Sequence, residues 1–209
     1  LTRYEGTLHI TTDNQVVEGL EVIGNVVIEA SNVTVKNSRI ISGTPWHAVM
    51  IVDNAPGFTL MDCEVDGQST TDNGFYGHGT ILRSNIHGVE NGMTIWGPSV
   101  IKDNFIHGLA ATDEDPHFDG IQINGANDVS IVHNTVINEH EQTAAIIMGN
   151  TFSGLSNIVV DNNLLIGGGY TLYVDGRKGG GPVDDASIRI TDNRIGGGHW
   201  GSFALYDQK

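Results

Sequence analysis

Cysteine occurs once in the 209 residues, at Cys63, so no internal disulfide can staple the chain. The fold must be held by packing and backbone pairing. Proline is scarce at 5, and no Pro/Ser-rich linker or shift in composition divides the sequence, which reads as a single domain over 1–209. Basic residues are few: 10 Lys and Arg stand against 25 Asp and Glu, a formal net charge of −15. A field of that sign repels nucleic acid and anionic membrane surfaces, so neither is expected as a partner. No apolar run approaches the roughly 18 residues of a spanning helix, so no membrane insertion is expected. Leu1 opens mid-pattern without a basic-then-apolar leader. The expectation is a soluble chain, trimmed from a longer one.

Glycine, by contrast, is abundant: 28 residues, where the usual level is about 7%. Many turns follow, yet no strict three-residue period makes the chain collagen-like. One phrase recurs along the sequence: VTVKNSRI (33–40), FTLMDCEV (58–65), TILRSNI (80–86), VIKDNFI (100–106), SIVHNTV (130–136), IVVDNNLL (158–165) and IRITDNRI (188–195). Aligned, these phrases place Ser38, Cys63, Ser84, Asn104, Asn134, Asn163 and Asn193 in one register, at steps of 25, 21, 20, 30, 29 and 30 residues. A looser match at VVEGLEV (16–22) adds a coil through Leu20. Each phrase alternates apolar and polar residues over strand-like lengths, and no segment sustains a helical period.

A further strand precedes each later phrase: HAVMI (47–51), NGMTI (91–95), DGIQI (119–123), AAIIM (144–148), YTLYV (170–174) and SFALY (202–206). Repeats of 20 to 30 residues carrying two or three strands are solenoid units, in which equivalent positions stack at the strand spacing of about 4.8 Å. The expected fold is all-β, a right-handed parallel β-helix of about eight coils. The Ser/Cys/Asn column fits a turn whose small polar side chains point inward and bond to one another, since a buried amide needs such partners. β-Sandwich strands would not keep a residue class in register over six steps.

The N-x-x-I-x-x-N phrases, the Asp-Gly opening of DGIQI and the asparagine column resemble the pectate-lyase-type right-handed β-helix superfamily, including bacterial and phage β-helix-repeat proteins, over nearly the whole chain. That resemblance implies an extracellular protein, secreted or on a phage or cell surface, acting on or binding a polysaccharide. Among its members are polysaccharide lyases, glycoside hydrolases, mannuronan epimerases and tailspikes. No capping helix precedes Leu1, so flanking domains or a homotrimer are expected to cover the open ends.

Stacking converts register into spatial columns. Asp66, His87 and His107 follow their phrases at one position, giving either an acid–base ladder or a solvated turn. The densest cluster of ionisable groups is Asp113-Glu114-Asp115-Pro116-His117-Phe118-Asp119-Gly120, in an insertion just before a strand. Carboxylates that close cannot all ionise freely, so their pKa values separate. His117 and Asp119 are candidate catalytic groups with Asp115, and Asp113 and Asp115 could instead ligate Ca²⁺. No other cofactor is called for, and a plain acidic turn remains the alternative. Asp115-Pro116-His117 also resembles the Asp-Pro-His motif of mannuronan epimerases, in which the Asp and His lie in the catalytic centre; that likeness makes Tyr170, Tyr173 and Lys178 candidates for the remaining groups.

The Asp119 column is read as containing His47, Asn91, Thr143 and Tyr170. Outward positions on these strands give Trp96, Gln122, Asn124, Tyr173 and Asp175, with Arg177 and Lys178 on the next turn. Amides, carboxylates and exposed aromatics are what a sugar-binding groove requires. Met50, Val52, Ile146 and Met148 are read as outward too, an apolar patch suited to a subunit interface. Two reactions remain open: proton abstraction at carbon 5 of a uronate by His117 or His107, with Arg177 or Lys178 neutralising the carboxylate, or hydrolysis by two carboxylates drawn from Glu90, Asp113, Asp115 and Asp119. A non-catalytic glycan-binding module is the third reading.

Overall fold

The structure is a computed structural model that describes residues 1–52, 55–112 and 114–206. Its described residues form 22 strands and one short 3₁₀ turn, Asp185–Ser187. All strand-to-strand pairings are parallel, and they sort into three ladders visited in turn by the chain. The first runs through Thr2–Glu5, Leu20–Ile23 and Arg39–Ile41 to Thr135–Asn138, Leu164–Gly167 and Arg194–Ile195. The second includes Leu8–Ile10, Val26–Ile28, His47–Ile51, Asp119–Ile123, Ala144–Gly149, Tyr170–Asp175 and Gly201–Tyr206. The third carries Val16–Glu18, Thr34–Lys36, Thr59–Met61, Ala126–Val132, Leu155–Asp161 and Ile188–Thr191. Two long bent strands, Glu64–Leu82 and Asn85–Lys102, pass through all three in succession.

Alternation along each strand builds the interior. Val22, Ile40, Val65, Ile86, Ile106, Val136 and Leu165 stack inward from the first ladder, and Val35, Leu60, Ile81, Ile101, Ile131 and Val160 from the third. With Val26, Val49, Phe75, Met93, Ile121, Ile146 and Leu172 of the second they form one buried cluster. Ile146 and Met148 therefore face the core, with no measurable exposure, and Ile147 is the residue that pairs with Gln122 and turns outward. The outward apolar patch read from the sequence is corrected at Ile146 and Met148, whereas Met50 and Val52 are both part-exposed.

Each recurring phrase is a third-ladder strand, a tight turn and a first-ladder strand. The turn places one residue in the left-handed region: Asn37, Asp62, Arg83, Asp103, His133, Asn162 and Asp192 have φ between 44° and 59°. Asn and Asp tolerate that conformation because their short polar side chains compensate locally. The following small polar residue then points inward. Asn104, Asn134 and Asn163 donate their backbone N–H to the Oδ1 of the next asparagine at 2.8–2.9 Å, while their Nδ2 atoms donate to Ile81, Ile101 and Ile131 carbonyls at 2.9 Å. Ser84 N–H joins the same file through Asn104 Oδ1, and Leu20 N–H through Ser38 Oγ. Leaving one such buried group without its partner costs about 1–3 kcal/mol.

A second file explains the Asp-Gly and Asn-Gly openings of the second-ladder strands. Ala48, Gly74, Gly92, Gly120 and Ala145 lie in register. A Cβ on Gly74 would sit 2.5 Å from Ile86 Cγ2. One on Gly120 would sit 2.5 Å from the Ala145 carbonyl and collide with Val136. The first ladder thus packs directly against these backbones. Gly120→Ala is expected to destabilise the fold by about 1–3 kcal/mol, the usual cost of overpacking, read as a drop in urea midpoint. An unchanged midpoint would mean that the two ladders part freely.

Candidate functional site

The second ladder exposes a face organised by register. Asn73 pairs with His47 and with Asn91, and Asn91 with Asp119, so the preceding residues Trp46, Asp72 and Glu90 also fall on successive rungs. Met50, Tyr76, Thr94, Gln122, Ile147 and Tyr173 form the outward column beside them. Between these rows lies a groove of about 320 Å³ lined by Asp72, Asn73, Tyr76, Glu90, Asn91, Thr94, Trp96, Gln122, Asn124 and Phe152. No Lys, Arg or His stands among these described lining residues. Trp96 is braced by Tyr76, with ring centroids 6.3 Å apart, and by His78 at 4.7 Å.

A hydrogen-bonded chain crosses the groove floor. The Asn73 amide donates to His47 Nδ1 (3.1 Å), Thr94 Oγ1 lies 2.6 Å from Asn73 Oδ1 and 3.2 Å from Gln122 Oε1, and Gln122 Nε2 reaches Asp119 Oδ2 at 3.5 Å. Burial holds the His47 pKa below the usual range, against a hydrogen bond to the Trp46 backbone that raises it. The ring stacks on Tyr76 at 4.2 Å. Asp119 ends the chain, 1% exposed, with Oδ1 accepting the Ala144 N–H at 3.1 Å. Burial pushes its carboxyl up to about 7; the Ala144 N–H and Thr143 pull the other way, and the nearby Glu90 adds to the rise. At neutral pH Asp119 is substantially protonated, below the groove rather than open to it.

The acid-rich insertion does not converge as its sequence suggests. Glu114, Asp115 and His117 are exposed, and Asp113 lies outside the described residues. His117 contributes its backbone N–H, which donates to Glu90 Oε1 at 2.9 Å and so orients that carboxylate. Among the described residues no group of three His, Cys, Asp or Glu is arranged to hold a metal ion. Thr143 is not in the Asp119 column: it has φ 51°, bonds the Phe118 carbonyl and precedes the strand, so Ala144 takes the register position.

Asp66, His87 and His107 do stack, but on the first ladder, away from the groove. His87 Nε2 lies 3.2 Å from Glu64 Oε1 and its Nδ1 3.9 Å from Asp66 Oδ1. His107 sits 5.4 Å from the His87 ring and 3.9 Å from Phe105, with Nε2 on Asn85 Oδ1 at 2.9 Å. Burial, then the His87 charge, lowers its pKa. His107 and His117 therefore belong to different surfaces.

Tyr170, Tyr173, Asp175, Arg177 and Lys178 assemble two rungs beyond Gln122. Tyr170 meets Tyr173 edge-on at 5.2 Å and Trp200 at 5.7 Å. Asp175, read as outward, is buried and binds Arg177 through both carboxylate oxygens at 2.8 and 2.9 Å, which depresses its pKa. The guanidinium also stacks 3.7 Å over Tyr206, so it is already engaged. Lys178 donates its backbone N–H to Asn150 Oδ1. Of the substrate-binding candidates, Asn91, Trp96, Gln122 and Asn124 share the groove; Tyr173, Asp175, Arg177 and Lys178 do not line it.

Sequence reasoning passed over Asp72, Asn73, Tyr76, Trp46 and Phe152. The signal for the first three was present: NGFYG (73–77) aligns with NGMTI and DGIQI, and the residues before the HAVMI, NGFYG and NGMTI openings are Trp46, Asp72 and Glu90. Phe152 follows a strand end and carries no register mark.

No family model matches the chain, and no curated protein matches it. A solved structure that resembles it is the crystal structure of Dettilon tailspike protein (gp208), at 16% identity and a TM-score of 0.37, covering 98% of this chain. The chain spans about three fifths, 61%, of that protein's length. A likeness this distant has no bearing on chemistry.

Proposed function

We propose that the three ladders are the faces of one right-handed parallel β-helix of about eight coils, a single domain, and that the second-ladder groove hydrolyses a neutral polysaccharide. The observation that carries this reading is Asp72 and Glu90 at one register on adjacent rungs, at the mouth of a groove walled by Trp96, Tyr76 and Phe152. Adjacent rungs lie about 4.8 Å apart, close to the roughly 5 Å carboxyl separation of retaining glycosidases. One carboxyl protonates the leaving glycosidic oxygen while the other attacks the anomeric carbon. Water then completes the displacement, its hydroxyl going to that carbon and its proton back to the first residue. Aromatic walls take the apolar faces of the sugar rings, and Asn91, Gln122 and Asn124 bond their hydroxyls.

Proton abstraction from a uronate is less well supported. It needs a cation beside the substrate carboxylate, whereas the lining residues supply two carboxylates and Arg177 is held by Asp175. The net charge of −15 also opposes a polyanion. An extracellular setting, with flanking domains or a homotrimer covering the solenoid ends, goes with this reading. The test is incubation with neutral glucans, mannans and galactans beside alginate, pectate and glucuronan, with and without calcium. New reducing ends on a neutral glycan, without the ultraviolet absorbance of unsaturated products, are expected. Unsaturated products from a uronate polymer, lost in His117→Ala, would replace hydrolysis by proton abstraction.

A further inference from the structure

We propose that the cleft beside Trp46 is a glycan subsite on the opposite side of the Asp72–Glu90 pair from the main groove, so that an interior stretch of polysaccharide is bound and cut. The inference rests on the hydrolytic reading above and adds where the substrate lies. Trp46 is 67% exposed, an indole left in water rather than packed. It heads the row that continues through Asp72 and Glu90, and its carbonyl accepts the Asn73 N–H at 2.9 Å, so it stands one rung, about 4.8 Å, from the nearer carboxylate residue.

Around it Thr7, Asn25, Thr44, His47 and Met50 complete a cleft of about 420 Å³. The Thr7 hydroxyl donates to Asn25 Oδ1 at 2.7 Å, which fixes that amide with its NH₂ as the donor side. Among the described residues no carboxylate, Lys or Arg lines this cleft. Its chemistry, a flat indole flanked by amide and hydroxyls, fits an uncharged pyranose: C–H face on the ring, hydroxyls on the polar rim. The boundary with the main groove is the flat His47–Tyr76 stack, whose rings are 10° from parallel. At the other end Phe152, 78% exposed, lines the main groove. With sugar platforms on both sides of the carboxylates, the bond placed between them has chain extending in both directions.

The experiment uses the neutral polysaccharide that the intact chain binds, together with its size-graded fragments, in calorimetric titration and product sizing. Affinity is expected to climb with fragment length, and Trp46→Ala to remove the last part of that climb, about tenfold; Trp46→Tyr restores most of it. Early products of the wild type are internal fragments of broad size. Long-fragment affinity within twofold of wild type in a Trp46→Ala protein of unchanged melting temperature overturns the subsite, as do early products consisting only of terminal sugars. A wild type that binds no polysaccharide of the panel overturns the groove reading and the subsite together. Activity lost in Glu90→Gln with Trp46→Ala indistinguishable from wild type overturns the subsite alone.

Discussion

Glu90→Gln and Asp72→Asn are each expected to lower turnover on the neutral glycan by about 10²–10⁴-fold, the range over which a positioned acid or base contributes. Both substitutions keep size and hydrogen-bonding capacity while removing the ionisable oxygen pair. Binding should survive, because the walls of the groove are Trp96, Tyr76, Phe152 and the amides rather than the acids. The check is kcat by reducing-end assay beside the dissociation constant of the same polysaccharide. Full turnover in either variant would remove that residue from the chemistry. Glu90 has a further handle: its Oε1 holds the His117 N–H, so Glu90→Ala should also loosen the 114–117 segment, seen as faster amide exchange there.

The second large effect is on stability against pH. In the folded chain the Asp119 carboxyl is pushed up to about 7 by burial from an ordinary 3.8. Below about pH 4 both folded and unfolded states hold this proton, so Asp119 itself adds no dependence on pH. Between about 4 and 7 the unfolded chain releases that proton while the folded chain keeps it. The native state then binds more protons, and stability falls as pH rises. Above about 7 both states are ionised and the loss is complete, roughly 4 kcal/mol for a shift of this size. Asp119→Asn cannot ionise and retains an acceptor for the Ala144 N–H. It is expected to flatten that part of the stability profile and to exceed wild type at pH 8. Urea midpoints of the two proteins from pH 4 to 8 read the difference directly, since the titrating histidines are common to both. Parallel curves would mean that Asp119 ionises as easily folded as unfolded.

Much of the architecture was legible because winding turns sequence period into contact. The Ser/Cys/Asn file could be found by alignment: its members make one another's hydrogen bonds, so a change of residue class at any step would strand a buried backbone group. The His47, Asn91 and Asp119 positions, the groove residues Asn91, Trp96, Gln122 and Asn124, and the stacking of Asp66, His87 and His107 followed from the same register. Inside–outside assignment failed at 144–148, where the strand opens on two alanines and an all-apolar run offers no alternation to read; Ile147 rather than Ile146 faces water. The 113–119 cluster misled for an electrostatic reason. Adjacent carboxylates gain more from hydration than from proximity, so Glu114 and Asp115 turn to solvent, and among the described residues of the cluster only the Asp119 carboxylate, anchored by strand pairing, goes under the sheet. Asp72 lies in a rung of only 21 residues, where the corners at Gln68–Ser69 and Gly77–Gly79 fall inside one continuous run, Glu64–Leu82, so its strands are not set apart by long loops.

The polar file also has a bearing on how the chain threads itself. Near-identical repeats invite a segment to dock one turn too early or too late, since outward and inward patterns still agree after such a slip. Along this file the residues are Ser, Cys and Ser up to position 84 and asparagine from 104 onward. A mis-threaded winding would set a hydroxyl or thiol where an amide must both give and receive, and would orphan a carbonyl such as that of Ile81. The change of residue at Asn104 acts as a page number, distinguishing copies that their hydrophobic text alone would leave interchangeable.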